Sequence, residues 1–139
     1  MPNIVETAVN AGKFKNLLQA AEAAQILDVL KGDEIFTLFA PTDEAFAKLP
    51  QGTLDSLLQD IPKLKKILAY HVAYGDVRSD DLVQIEEAET LEGSVVAIES
   101  KDGKVKVNDA IVLQTDILAD NGVIHVIDSV LMPAMVAGR

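Results

Sequence analysis

Residues 34 to 50 read EIFTLFAPTDEAFAKLP, and the hydrophobic period changes halfway through. From Glu34 to Ala40 the run is short, apolar and rich in aromatic and β-branched residues, which suits a buried strand. Pro41 ends the ladder, and Thr42 is placed to cap a helix. Asp43 and Glu44 then fall in its first turn, where they favour the positive end of the helix dipole. Ala45, Phe46 and Leu49 face inward until Pro50 stops the helix. A strand that hands over directly to a helix calls for one interior shared by both, an α+β domain.

The flanks extend the pattern. Upstream, Asn3 with Glu6 three positions on predicts a capped helix that Gly12 ends. Phe14, Leu17, Leu18 and Ala21 recur at helical spacing, and Ile26, Leu27, Val29 and Leu30 continue the apolar character to a break at Lys31-Gly32-Asp33. Downstream, Leu54, Leu57, Leu58 and Ile61 form a stripe capped by Thr53, and Leu64, Ile67 and Leu68 form another after Pro62. YHVAYGDV, from Tyr70, is strand-like and stops at Gly75, after which Ser79 caps a last helical turn through Leu82. The final third reads as hairpins: SVVAIES and KVKVND around Asp102-Gly103, then AIVLQTDI and GVIHVIDSVL around Asp120-Asn121-Gly122, where Asn and Gly tolerate positive φ. The last strand is apolar on both faces and belongs in the middle of a sheet or sandwich. No internal repeat and no domain boundary interrupts residues 1–139, so a single domain is expected.

The chain has 139 residues, 49% hydrophobic and 24% charged, enough for one core. Twelve basic against 22 acidic residues give a net charge of -10, which repels phosphate backbones and anionic head groups. Nucleic acid and membrane insertion are therefore excluded as expectations, and no stretch approaches the roughly 20 apolar residues of a membrane span. As written, the chain shows no export signal and no anchor. Asp80-Asp81 and Glu86-Glu87-Ala88-Glu89 lack the alternating ligands and central glycine of a calcium loop. Cysteine is absent, which removes disulfides, thiolate metal sites and a Cys nucleophile.

Chemistry has few candidates. His71 and His125 are the two histidines, and neither has a metal partner at helical spacing, so no metal and no cofactor is expected. No nucleophile elbow, P-loop or dinucleotide fingerprint follows any strand. His125, between Ile124 and Val126, reads as a hydrogen-bonded core histidine. His71 reads as a clamp at the junction after a helix.

Three segments together resemble the fasciclin domain family. TLFAPTDEAFAKLP at 37 to 50, LAYHV at 68 to 72 and GVIHVIDSVLMP at 122 to 133 are similar to its first conserved motif, its tyrosine-histidine motif and its second conserved motif. With the opening NIVETAVNAGKFKNLLQAA, the resemblance covers essentially the whole chain. It implies a β-sandwich or wedge of strands packed against a bundle of short helices. The matching first-motif residues are Thr42 and Asp43 with the core residues Phe39 and Phe46. In the second motif they are His125, Asp128, Leu131 and Pro133.

The resemblance further implies a noncatalytic adhesion and interaction module that binds a protein or glycan partner, as a monomer or weak homo-oligomer. Its place would be the cell surface or extracellular matrix; the cytoplasm is the alternative for a chain without an export signal. In animal members, adhesion is linked to two segments matched here by Tyr70 and His71, between Leu68 and Val72, and by Asp116 and Ile117. The plain Met start and lack of cysteine resemble a bacterial-type member. Two competing functions remain: a carrier of a small apolar ligand in a pocket between helices and sandwich, and an enzyme pairing His71 with Asp43 or another carboxylate as general base.

Overall fold

A computed structural model describes residues 3–32, 34–49, 52–101, 104–108 and 110–131. The expectations for Asp33, Pro50, the Asp102-Gly103 turn and Pro133, and for the Leu54 side chain, lie outside the described residues. The elements run α1 (Ile4–Ala11), α2 (Lys15–Ala23), α3 (Leu27–Leu30), β1 (Phe36–Pro41), α4 (Asp43–Ala47), α5 (Thr53–Leu58), α6 (Ile61–Ala69), β2 (Val72–Tyr74), α7 (Ser79–Leu82), β3 (Glu87–Glu89), β4 (Val95–Lys101), β5 (Lys104–Val107), β6 (Ala110–Ala119) and β7 (Gly122–Ile127).

Local signals account for many of these boundaries. Asn3 Oδ1 accepts the Glu6 N–H at 2.8 Å while Glu6 Oε1 accepts the Asn3 N–H at 3.1 Å, and Gly12 ends α1 at φ 75°. Thr42 Oγ1 accepts the Ala45 N–H at 3.1 Å, which starts α4 as its position predicts. Two expected caps are corrected. Gly52, not Thr53, is the N-cap of α5, so Thr53 is already helical. Arg78, not Ser79, is the N-cap of α7, its N–H donating back to Asp81 Oδ2 at 3.2 Å. Each hydroxyl residue sits one position inside the turn that it was expected to cap.

The strands form a seven-stranded sheet in the order β2-β1-β7-β6-β5-β4-β3. Both predicted hairpins, β4 with β5 and β6 with β7, are present and antiparallel. The central pair differs: β1 and β7 run parallel, Phe36 opposite Gly122 through Pro41 opposite Ile127. This puts β7 in the middle of the sheet, as its two apolar faces require. A bridge between Ala73 and Thr90 joins the two end strands, so the sheet curls toward a barrel. β3, built from EAE, carries little strand signal and forms by pairing with β4.

Alternation on β1 and β7 then divides the interior in two. Phe36, Leu38 and Ala40 with Ile124 and Val126 pack outward against Ile4, Leu17, Ala21, Leu64 and Ile67 of the helices. Phe39 and Ile127 point into the curl, against Tyr70, Leu82, Val96, Ile98 and Leu131. The α+β fold expected from the motifs is therefore the one formed.

Gly122 is fixed by close approach. At φ 151° it lies so near β1 that a Cβ would land on the Phe36 carbonyl oxygen and 2.9 Å from Ile4 Cδ1. Of the two turn residues that tolerate positive φ, Gly122 adopts it and Asn121 does not. Asn121 Oδ1 accepts the Ile4 N–H at 2.9 Å, and Nδ2 donates to the Leu30 carbonyl at 2.5 Å, tying α1 and α3 to the β6–β7 turn.

Candidate functional site

Tyr70 and His71 terminate α6, and both are buried, at 5% and 0% exposure. The Tyr70 hydroxyl donates to the Val95 carbonyl at 3.1 Å and accepts from Asn108 Nδ2 at 3.0 Å. Asn108, at φ 55°, also accepts the Ala97 N–H through Oδ1 at 2.8 Å, so one hydroxyl and one amide hold the β5–β6 turn against β4. His71 Nδ1 lies 2.8 Å from the Ile67 carbonyl, and Nε2 accepts the Leu131 N–H at 2.8 Å. Since a backbone N–H can only donate, Nε2 must be the bare nitrogen and Nδ1 the protonated one. The ring is neutral, and burial, partly offset by the bond to Ile67, pushes its pKa down to about 4.

His125 stands opposite Phe39 in the β1–β7 pair, and the two rings stack at 5.8 Å. Its partners are reversed. Nδ1 accepts the Asp116 N–H at 3.3 Å, so Nε2 carries the proton that it donates to the Val77 carbonyl at 2.6 Å. Burial lowers its pKa, against the opposing pull of the Val77 bond and of Asp116 and Asp76. Thr37, inside the same end of the barrel, donates to the Gly75 carbonyl at 2.7 Å and accepts the Val77 N–H at 2.8 Å.

Asp116 and Ile117 sit in an irregular part of β6, where the register against β7 shifts between Gln114 and Ile117. Asp116 is in left-handed backbone at φ 59°. Its carboxylate accepts the Ser79 N–H at 2.9 Å and the Ser79 hydroxyl at 2.5 Å. Desolvation works to raise its pKa, but the two Ser79 bonds, His125 and Arg78 outweigh it and hold the carboxyl below the ordinary range. Ile117 is half-buried against the helix-side core.

The other motif residues tie elements together. Asp43 Oδ1 accepts the Asn16 N–H at 2.7 Å, capping α2, whose own N-cap residue Phe14 supplies no side-chain bond. Phe46 is core. Asp128 Oδ1 accepts the Ile111 N–H at 2.8 Å, and Lys48 Nζ donates to the Asp128 carbonyl at 2.7 Å.

The sequence-derived candidates thus divide. Tyr70 and His71 face inward, and no hydrogen bond among the described residues links them to Asp116 and Ile117, so the four do not form one exposed patch. The pairing of His71 with Asp43 as a general base is not formed, because both ring nitrogens hold backbone groups and Asp43 holds Asn16. The apolar gap between α1–α3 and the sheet leaves about 20 Å³, room for about one water and not for a carried ligand. Among the described residues no group of three or more His, Asp or Glu is placed to hold a metal ion. No helix among them is long and apolar enough to cross a membrane. Sequence reasoning missed Ser79, Asn108 and Asn121 as tethers; Ser79 read as a cap, Asn121 as a turn residue and Asn108 as part of the strand segment KVKVND, and each bonds a distant element instead.

Known proteins with this arrangement define the class. The family model described as Fasciclin domain matches residues 12–133. An uncharacterized protein of Synechocystis sp. is 49% identical over 132 residues, covering 95% of this chain and 98% of that protein. The transforming growth factor-beta-induced protein ig-h3 of Sus scrofa is 34% identical over 133 residues, covering 96% of this chain but 20% of that longer protein. Among solved structures, the FAS1 domain pair of the insect cell adhesion molecule Fasciclin I shares the fold, with a TM-score of 0.84 at 21% identity over 96% of this chain and 52% of that one. The chain belongs to the fasciclin domain family.

Proposed function

We propose that this chain is a noncatalytic interaction module whose partner, a protein or a glycan, docks along β6 around Asp116 and Ile117, at the cell surface or in the extracellular matrix. The observation that carries it is the exposure of Leu113 at 59% and Leu118 at 43% on either side of that pair. Large apolar side chains grouped on one strand of a strongly charged molecule mark a contact surface. Family membership supports the adhesive role. Tyr70 and His71 serve it from inside, by holding the barrel that presents β6.

The double variant Leu113→Asp plus Leu118→Asp alters surface positions, so it folds as the wild type does. A surface coated with it should then hold no cells in an attachment assay, and should retain none of the glycans that the wild type retains. Undiminished attachment by the folded variant removes the proposal. Tyr70→Ala should lose stability first, and attachment only in proportion to the folded fraction. Fractionation of cells that make the chain, read by antibody, separates surface placement from the cytoplasmic alternative.

A further inference from the structure

Three polar tethers converge on Asp116: its N–H donates to His125 Nδ1 at 3.3 Å, and its carboxylate accepts the Ser79 N–H at 2.9 Å and the Ser79 hydroxyl at 2.5 Å. The residue stands at φ 59°, a conformation that a non-glycine residue keeps only while its surroundings hold it there. The hold depends on a bare Nδ1, since His125 has already committed its Nε2–H to the Val77 carbonyl at 2.6 Å. A proton added to Nδ1 turns that acceptor into a donor facing a donor.

We propose that the His125–Asp116 contact is a proton-operated latch: uptake of one proton at Nδ1 breaks the bond from the Asp116 N–H and releases the Asp116–Ile117 bulge together with the Ser79 end of α7. The rest of the barrel stays folded.

The charges around the ring set the outcome. β6 contributes Asp116, and the segment before α7 contributes Asp76 and Arg78. From β1 comes the uncharged Phe39. Arg78 grips Asp76 with two nitrogens, Nε at 3.0 Å and Nη2 at 3.0 Å, so Asp76 is already paired. Asp116, whose carboxylate is held by the neutral Ser79 groups and by no close ion pair among the described residues, is therefore the counter-charge for an imidazolium, and it leaves Ser79 to reach the ring. Burial places the transition on the acid side of an ordinary imidazole. His71 responds separately, because its partners are Ile67 and Leu131. The latch stands on these contacts and not on the adhesion proposal, and its test reads structure instead of binding.

The chain has two histidines, so an NMR titration gives two ring signals, assigned with His71→Gln and His125→Gln. As pH falls from the ordinary imidazole range toward the His125 midpoint, protection of the Asp116 amide, corrected for intrinsic exchange, should fall by up to about tenfold per pH unit and be lost below that midpoint, as release of a one-proton latch requires. The Ser79 amide should follow the same curve while Leu38 and Ile124 keep their protection. In His125→Gln, whose side chain donates and accepts without titrating, the dependence should vanish. If that variant does not fold, the wild-type curves still decide. An Asp116 amide that stays protected, that follows the His71 midpoint, or that opens together with Leu38 and Ile124 overturns the latch.

Discussion

His71 and His125 are both buried, with opposite protonated nitrogens, Nδ1 in one and Nε2 in the other, each chosen by the backbone group it meets. For His71 the consequence is a pH dependence of stability. Its pKa is about 4 when folded against 6.5 for an ordinary imidazole, so the unfolded chain takes the proton first. Stability is full above pH 6.5, declines as pH falls through that window, and levels off below about pH 4, a loss of about 3 kcal/mol from this ring alone. Urea midpoints measured across the window should show that decline. His71→Leu strands the Leu131 N–H and the Ile67 carbonyl, so it should cost about 1–3 kcal/mol at neutral pH and flatten the dependence. A variant that keeps the wild-type slope would assign the decline to other groups.

At the scale of elements, a helix start was legible where its cap lies within the same turn. Asn3 with Glu6 and Thr42 with Ala45 are bonds between residues three apart, and the sequence pattern is the bond itself. The start of α2 was not legible, because its cap Asp43 lies 27 residues further on. The tether of α7 to Asp116 spans 37. For the same reason Asp43 read as a dipole residue of α4, though its carboxylate serves α2. Asp43→Ala should cost about 0.5–2 kcal/mol, and Asp43→Asn, which keeps an acceptor oxygen, only a few tenths, both read from denaturant midpoints. Equal losses would mean that charge and not the hydrogen bond holds α2. Burial of Tyr70 and His71 was open in the sequence for a related reason: bulky neighbours such as Leu68 and Val72 suit either an interior or a contact surface, and only the approach of Val95, Asn108 and Leu131 decides between them.

For the whole molecule, the two hairpins were legible because their strands are adjacent in sequence, whereas the parallel pairing of β1 with β7 is set by neither neighbour nor turn. That pair is flanked by β2 and β6 and covered on both faces, by helices on one side and by the barrel interior on the other. Its amides should exchange only through global opening: Leu38 to Ala40 and Ile124 to Val126 should share the highest protection, set by the full unfolding free energy. Faster exchange there than in β4 and β5 would show that the hairpins are the more stable unit.

Because β1 finds its parallel partner only at Gly122–Ile127, although β2 can pair with its other edge earlier, the sheet cannot be completed in the order in which the chain is synthesised. The β1 edge that faces β7 waits, with Phe36 and Leu38 unpaired along that margin, until β7 leaves the ribosome. A nascent chain halted at Asp120 should therefore remain protease-sensitive and bind chaperones, and the release of a few further residues should close it abruptly.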